Sequence, residues 1–210
     1  MKNTMLSLII LALASALNPA LAQAPQEQVE QAIVELAEGL KGRKDELRDD
    51  HRALYKMVNE ILLPRFNRKY SAQLVLGKNW KAADATQRER FIDGFYNSLL
   101  RKYAEGVLEF DEERVQVLPF RGDLSKKRTI VKTNVYLDGG IKITVNYGFA
   151  DRGNGWQMFD VTIEGISFVR NYRVEVDSEI RQTSLDAVIE RLEAEAWSAT
   201  GGESVVGGDE

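Results

Sequence analysis

The feature that most constrains the fold is a change of hydrophobic period part-way along the chain. From Ile141 to Phe149, apolar side chains occupy five successive odd positions and alternate with Lys, Thr, Asn and Gly. A period of two predicts a β-strand with one buried face. The run at 131–137 alternates in the same way, and Asp138–Gly140 between them supplies the residues of a tight turn, so the two runs predict an antiparallel hairpin. Residues 156–164 follow a second Gly-rich turn and predict the next strand.

Helical periodicity occupies both flanks of these strands. Apolar residues recur every three or four positions from Val29 to Leu40, through 47–62, and along a long segment that begins with the capping-box pattern Asp84-Ala-Thr-Gln. The same period returns after Gly165 and continues to Leu192. With a short strand near 115, this order predicts one α+β domain. We expect a curved antiparallel sheet of about four strands packed against N- and C-terminal helices.

The two ends of the chain do not follow this pattern. Residues 1–22 combine a positive charge at Lys2, an uncharged apolar run and small residues up to Ala22, which is typical of a secretory signal peptide. The run is short for a membrane-spanning anchor, which is the alternative. We therefore expect cleavage after Ala22, an exported soluble product with one domain over 23–198, and a disordered tail at the Gly-rich, acidic residues 199–210.

Composition excludes several classes of protein. The 210 residues contain no cysteine and one histidine, His51, so neither a disulfide framework nor a multi-histidine metal site is available. A net charge of −4 disfavours a protein that wraps nucleic acid. The stretch from Gly122 lacks the second glycine of a phosphate-binding loop, which argues against ATP hydrolysis. The basic residues Lys126–Arg128 are typical of a solvated loop; the alternative is a patch for anionic lipid headgroups.

Two signatures fall in the long helix and around the last strand. The first is Asn-Trp-Lys at 79–81 with Thr-Gln-Arg-Glu-Arg-Phe at 86–91 and Leu-Leu-Arg-Lys-Tyr at 99–103. The second and more specific one is Trp-Gln-Met-Phe-Asp-Val-Thr-Ile-Glu-Gly-Ile-Ser-Phe-Val-Arg-Asn-Tyr-Arg at 156–173, followed by Ile-Arg-Gln at 180–182. With these signatures, most of the mature chain resembles the MlaC-type periplasmic phospholipid-binding proteins, also called the toluene-tolerance family.

This resemblance implies a soluble periplasmic carrier with a deep apolar cavity between the sheet and the helices. Such a carrier holds the acyl tails of a glycerophospholipid, leaves the headgroup outside and has no catalytic residues and no cofactor other than its cargo. Its implied partners are an outer-membrane lipoprotein–porin complex and an inner-membrane ABC transporter with an MCE-domain protein. Its implied role is to maintain the lipid asymmetry of the outer membrane.

On this basis, we expect the long helix, the inward faces of the strands and the helix after them to supply the lipid-binding residues. The expected residues are Phe95, Leu99, Tyr103, Val135, Leu137, Ile143, Val145, Tyr147, Phe159, Val161, Ile163, Phe168 and Tyr172. Two alternatives remain open at the level of sequence. One is an enzyme that uses Asp160 with Tyr147 or Tyr172 on an apolar substrate, and the other is a periplasmic adaptor that binds only proteins.

Overall fold

The computed structural model describes residues 23–197. The predicted signal peptide at 1–22 and the predicted tail at 199–210 lie outside the described residues. Within 23–197, no helix combines the length and the apolar character that crossing a bilayer requires.

Helices occupy both ends of the described chain, as the periodicity predicts. Over residues 23–197 they are α1 (Pro25–Leu40), α2 (Lys44–Asp49), α3 (His51–Leu62), α4 (Arg68–Leu76), α5 (Asn79–Ala82), α6 (Ala85–Ala104), α7 (Phe168–Gln182) and α8 (Leu185–Trp197). Helix α3 ends at Leu62 and passes into a short 3-10 turn, Leu63–Arg65, because Pro64 has no backbone N–H to continue the helical hydrogen bonds. Leu63 itself keeps helical angles, with φ −56° and ψ −45°.

The strands form one antiparallel sheet in the order in which they occur along the chain. They are β1 (Val115–Val117), β2 (Arg128–Tyr136), β3 (Lys142–Asp151), β4 (Trp156–Ile163) and β5 (Ile166–Ser167). The β2–β3 and β3–β4 pairings are the longest and form the centre of the sheet. The predicted α+β class, with sheet and flanking helices, is confirmed.

The turns explain one difference from the predicted strands. The β2–β3 connection, Asp138–Gly140, places Gly139 and Gly140 at φ angles of 75° and 77°, which glycine adopts without steric cost. After β4, Glu164 and Gly165 also have positive φ, at 48° and 82°. They reverse the chain so that the two residues of β5 pair with the end of β4. The sequence predicts helix directly after Gly165, whereas the structure inserts this fifth strand before α7.

The sheet has two faces with different neighbours. Its inner face carries Val131 and Phe149, which pack with Val29 of α1 in one buried cluster. Its outer face carries Ile130 and Lys132 of β2, both exposed. Helix α1 therefore covers part of the inner face, and the outer face is open to solvent at these positions.

Helix α6 is the centre of the helical layer. It packs closely on α8 at Gly94, where an added Cβ would lie 3.2 Å from the Cβ of Leu192. The rings of Phe91 and Phe95 stack at 5.7 Å within the apolar cluster that α6 shares with α4, α7 and α8. The C-terminal half of α6 joins α3 in a second apolar cluster through Leu100. These contacts position α6 opposite β4.

Candidate functional site

An apolar pocket with a volume of about 180 Å³ lies between the helical layer and β4. The side chains around it are apolar or aromatic, except those of Ser71 and Asp160. Outside α6 and β4, the lining residues are Val58, Leu62, Phe66, Ser71, Val107, Phe168 and Val169. A pocket of this composition suits an uncharged, apolar ligand group.

Helix α6 forms the longest wall of the pocket. Its start is fixed by the predicted capping box: Asp84 Oδ1 accepts from the N–H of Gln87 at 2.8 Å, and Gln87 Oε1 accepts from the N–H of Asp84 at 3.1 Å. Residues spaced by three and four then share one side of the helix. Those that line the pocket are Phe95, Tyr96, Leu99, Leu100, Tyr103 and Ala104.

Strand β4 contributes four consecutive residues, Met158 to Val161, although side chains of a regular strand alternate between faces. A β-bulge explains this departure. Phe149 pairs with Met158 and Gly148 pairs with Asp160, which leaves Phe159 as the extra residue. The pocket also lies at the edge of β4, where the backbone N–H of Asn67 donates to the carbonyl of Met158 at 2.7 Å. Side chains from both faces of the strand therefore reach the pocket.

Two tyrosines near the pocket, the buried Tyr96 and the half-buried Tyr172, are held in their neutral form. Burial raises the pKa of Tyr96 to about 12, and its hydroxyl donates to Asn59 Oδ1 at 3.1 Å. Burial also raises the pKa of Tyr172, and the neighbouring hydroxyl of Tyr103, 3.5 Å away, raises it further. Because a raised tyrosine pKa favours the protonated side chain, neither residue adds negative charge at neutral pH.

Asp160 supplies the single carboxylate in the described lining. Its Oδ1 accepts from the N–H of Val169 at 3.0 Å, and its Oδ2 accepts from the hydroxyl of Ser167 at 2.6 Å. Both partners belong to the start of α7, where the helix dipole favours a negative charge. Both carboxylate oxygens of Asp160 are therefore used in hydrogen bonds that connect β4 to the start of α7.

The structure gathers six of the thirteen predicted lipid-binding residues around this pocket. They are Phe95, Leu99, Tyr103, Phe159, Val161 and Phe168. Tyr103 is 41% exposed and stacks on Phe168 at 4.9 Å between ring centroids, so these two rings mark the end of the pocket that reaches the surface. Tyr172 lies beside this end, with its ring edge against Phe95 at 5.4 Å.

The remaining predicted residues do not line this pocket. Five lie in the strands on the inner face, where they pair across the sheet: Val135 with Ile143, Val145 with Ile163, and Tyr147 with the pocket residue Val161. Leu137 follows β2 and is 43% exposed. That they contact lipid stays a prediction.

Several lining residues were absent from the predicted set. Tyr96, Leu100 and Ala104 each directly follow one of the predicted residues of α6, so the available signal was that an apolar or aromatic residue stands next to each of them. Phe66 and Met158 come together through an isolated bridge between the chain before α4 and β4. No local pattern encodes that contact, because it joins segments distant in sequence.

Among the described residues, Asp160 makes no hydrogen bond to Tyr147 or to Tyr172, the partners that the enzyme alternative needs. Asp160 pairs with Gly148 on the outer face, whereas Tyr147 belongs to the opposite face, so their side chains point apart. The hydroxyl of Tyr172 instead accepts from Lys102 Nζ at 3.2 Å. His51 is on the surface of α3, with Nδ1 3.7 Å from Oε1 of Glu105.

Comparison with known proteins decides the family. The family model described as MlaC protein matches residues 30–194. The chain belongs to the MlaC family. The resemblance inferred from the two sequence signatures is thereby confirmed.

Relatives of this MlaC-family chain match over most of their length. It is 27% identical to the toluene tolerance protein ttg2D of Pseudomonas putida over 180 residues, which cover 85% of this chain and 83% of that protein. It is 23% identical to the intermembrane phospholipid transport system binding protein MlaC of Haemophilus influenzae over 176 residues, 82% of each chain. The fold matches a phospholipid-binding protein from Ralstonia solanacearum, solved in complex with a phospholipid. That match has a TM-score of 0.73 and 22% identity, and it covers 84% of this chain and 99% of the other.

Proposed function

We propose that this protein is a periplasmic phospholipid carrier that binds the acyl chains of a glycerophospholipid in the pocket between α6 and β4. The observation that carries the proposal is the apolar lining of that pocket, with its one carboxylate bound to the start of α7. Membership of the MlaC family supports it, as does the likeness to a solved protein that holds a phospholipid.

The physical requirement on such a carrier is large. Moving two acyl chains with about 30 methylene groups from an apolar environment into water costs roughly 24 kcal/mol of transfer free energy. The protein must replace nearly all of that environment, yet a pocket much better than the bilayer would never release its cargo. Near parity is the workable design, and contacts with partner proteins then decide loading and release.

The described pocket is too small for a whole lipid. Its volume of about 180 Å³ is below the roughly 300–1,000 Å³ of pockets for drug-sized ligands, and two acyl chains exceed such a ligand. We therefore propose that the helical layer and β4 move apart on loading. The stacked rings of Tyr103 and Phe168, at the exposed end of the pocket, are the contact that must open.

The cellular role follows from the same proposal. The signal-peptide pattern at 1–22 would direct the chain to the periplasm, where a carrier exchanges lipid between two membranes. Its partners there would be the inner-membrane ABC transporter with its MCE-domain protein and the outer-membrane lipoprotein–porin complex. Carriage between these complexes would maintain the lipid asymmetry of the outer membrane.

Lipid analysis of the exported protein tests this function. We expect mass spectrometry of organic extracts to find phospholipid bound to the purified protein. We also expect the delipidated protein to take up phospholipid again from vesicles of phosphatidylglycerol. A folded protein that carries no phospholipid and takes none up would contradict the carrier function, and turnover of a small apolar substrate would favour the enzyme alternative.

A further inference from the structure

A second, larger cleft lies on the outer face of the sheet. Its volume is about 860 Å³, and its floor is formed by β2, β3 and β4. The loop before β2, around Arg121, forms one side, and Arg170 of α7 forms another. We call this space the outer cleft. None of the thirteen predicted lipid-binding residues except Phe159 lines it.

The outer cleft concentrates positive charge on an acidic protein. Four cationic side chains line it, those of Arg121, Arg128, Lys132 and Arg170, against the single carboxylate of Asp160. The whole chain, by contrast, has a net charge of −4. Among the described residues, no carboxylate lies within ion-pair distance of Arg121, Lys132 or Arg170, and Asp160 is engaged with the start of α7. These cations are therefore available to an anion from solution.

The chain pairs most of its other arginines with carboxylates, which makes this cluster unusual. Arg90 makes two hydrogen bonds to Glu193, at 2.9 and 2.7 Å. Arg191 likewise makes two to Glu179, at 2.7 and 2.6 Å. A guanidinium that is not so engaged can form the same two-pronged hydrogen bond to a phosphate.

A buried acceptor in the outer cleft also has no partner. Asn146 Oδ1, on β3, is buried and makes no hydrogen bond among the described residues. Such an orphaned acceptor costs free energy unless a donor reaches it. Because Asn146 Oδ1 is itself closed to solvent, a donor can reach it only when a neighbouring group moves, and what the outer cleft offers directly to a phosphate is its cationic donors.

One aromatic side chain stands between this cleft and the apolar pocket. Phe159 lines both spaces, and its ring lies over Gly148, where an added Cβ would be 3.4 Å from its Cζ. The guanidinium of Arg128 also lies against this ring, 5.6 Å from the ring centroid of Phe159 and 5.4 Å from that of Tyr70. A ligand that passes Phe159 has an apolar environment on one side and a cationic one on the other.

We propose that the outer cleft binds the phosphodiester headgroup of the lipid whose acyl chains enter the apolar pocket. This inference rests on the proposed carrier function and adds a specific site for the headgroup. Phe159 is the partition around which the glycerol backbone passes, and Arg128 positions that partition. Arg121, Lys132 and Arg170 bind the phosphate.

The test removes two of these cations and compares lipids with and without a phosphate. The variant Lys132→Gln with Arg170→Gln changes two exposed side chains and leaves the core intact. The matched control is Lys56→Gln with Lys81→Gln, which removes the same charge from exposed residues of α3 and α5 that line neither space. Binding of phosphatidylglycerol and of a diacylglycerol with the same acyl chains is measured on the delipidated full chain.

We expect the unmodified protein and the control to bind phosphatidylglycerol more tightly than diacylglycerol. The variant with Lys132→Gln and Arg170→Gln should lose roughly tenfold in affinity for phosphatidylglycerol and keep its affinity for diacylglycerol, because the lost hydrogen bonds are charge-assisted but partly exposed. An unchanged preference for phosphatidylglycerol in that variant would overturn the headgroup site. Binding of neither lipid by the unmodified protein would instead show that the carrier function itself fails, and the headgroup site with it.

Two further arms separate other sources of phosphate. Inorganic phosphate and glycerophosphoglycerol are titrated with the same proteins; if either binds as tightly as the lipid, the outer cleft is a site for a free phosphate compound and the proposal is wrong. Co-sedimentation with phosphatidylglycerol vesicles is measured in parallel. If the substitutions weaken vesicle binding but not the binding of single lipid molecules, the outer cleft meets a membrane surface and the proposal is again wrong.

Discussion

A carboxylate placed in the wall of the apolar pocket should make lipid binding depend on pH. Leu99 is suited to this perturbation because it lines the pocket from the C-terminal half of α6 and is only partly buried. In the lipid-free protein, the carboxyl introduced by Leu99→Glu can remain hydrated, with a pKa near the ordinary value of about 4.3. Acyl chains that fill the pocket remove this hydration, which costs several kcal/mol for a charged group.

Lipid can bind either with the carboxylate charged and dehydrated or with the carboxyl protonated, and the less costly of these two routes sets the loss of affinity. The carboxyl can take up a proton when lipid binds, and at pH 7 this costs about 3.7 kcal/mol relative to a pKa near 4.3. Lipid affinity should therefore fall roughly 500-fold at pH 7. Because the lipid-bound state holds one more proton than the lipid-free state, lipid affinity should rise about tenfold for each unit by which the pH is lowered. This rise should stop at the pKa of the introduced carboxyl in the lipid-free protein.

The assay is uptake of phosphatidylglycerol by the delipidated protein between pH 5 and 8, with circular dichroism to verify folding. Leu99→Gln is the matched control, since it is polar and of similar size but does not titrate. The ratio of its affinity to that of Leu99→Glu isolates the effect of the charge. Val174→Glu, at a position that is 66% exposed on α7, should bind as the unmodified protein does. Equal affinities of folded Leu99→Glu and Leu99→Gln at pH 7 would refute the reasoning that acyl chains contact this wall.

Three further predictions concern stability and processing. Gly94→Val should lower the free energy of unfolding by about 1–3 kcal/mol, because the valine side chain would press on Leu192 of α8. Gly106→Val, where an added Cβ would have nothing within 4 Å, should have a much smaller effect in the same denaturant unfolding experiment, and equal losses would contradict the close packing at Gly94. Burial raises the pKa of Tyr96 to about 12, whereas in the unfolded chain a tyrosine ionises near pH 10, so the free energy of unfolding should fall by about 2 kcal/mol more in the unmodified protein than in Tyr96→Phe between pH 10 and 12. Parallel pH profiles of the two proteins would show that Tyr96 is not buried in solution. The intact mass of the exported protein should correspond to cleavage after Ala22, and a mass that includes residues 1–22 would contradict the signal-peptide prediction.

The sequence by itself determined most of the elements and their order, but not the short strand β5. Alternation from Ile141 to Phe149 predicted β3, because a strand with one buried face needs a period of two. The Asp84–Gln87 capping box predicted where α6 begins, and the glycines at 139 and 140 predicted the turn before β3. These features depend on residues close together in the chain, so local patterns are sufficient to specify them. The two signatures also identified the family.

The tertiary structure decided which apolar surfaces enclose the pocket. Alternation shows that Val145 faces the inner side of the sheet, but it does not show that α1 covers part of that side and that the pocket lies farther along, at the edge of β4. The bulge at Phe159 brings four consecutive strand residues to the pocket, against the period that predicted the strand.

The outer cleft likewise exists only in three dimensions. Its cations come from a loop, from β2 and from α7, and only Arg128 belonged to the basic cluster visible in the sequence. A sequence pattern reports which side of an element is apolar or charged. Long-range packing decides which elements meet across a space. Two examples are the approach of α8 to α6 at Gly94 and the hydrogen bonds of Asp160 to the start of α7. These contacts join residues that no local period relates.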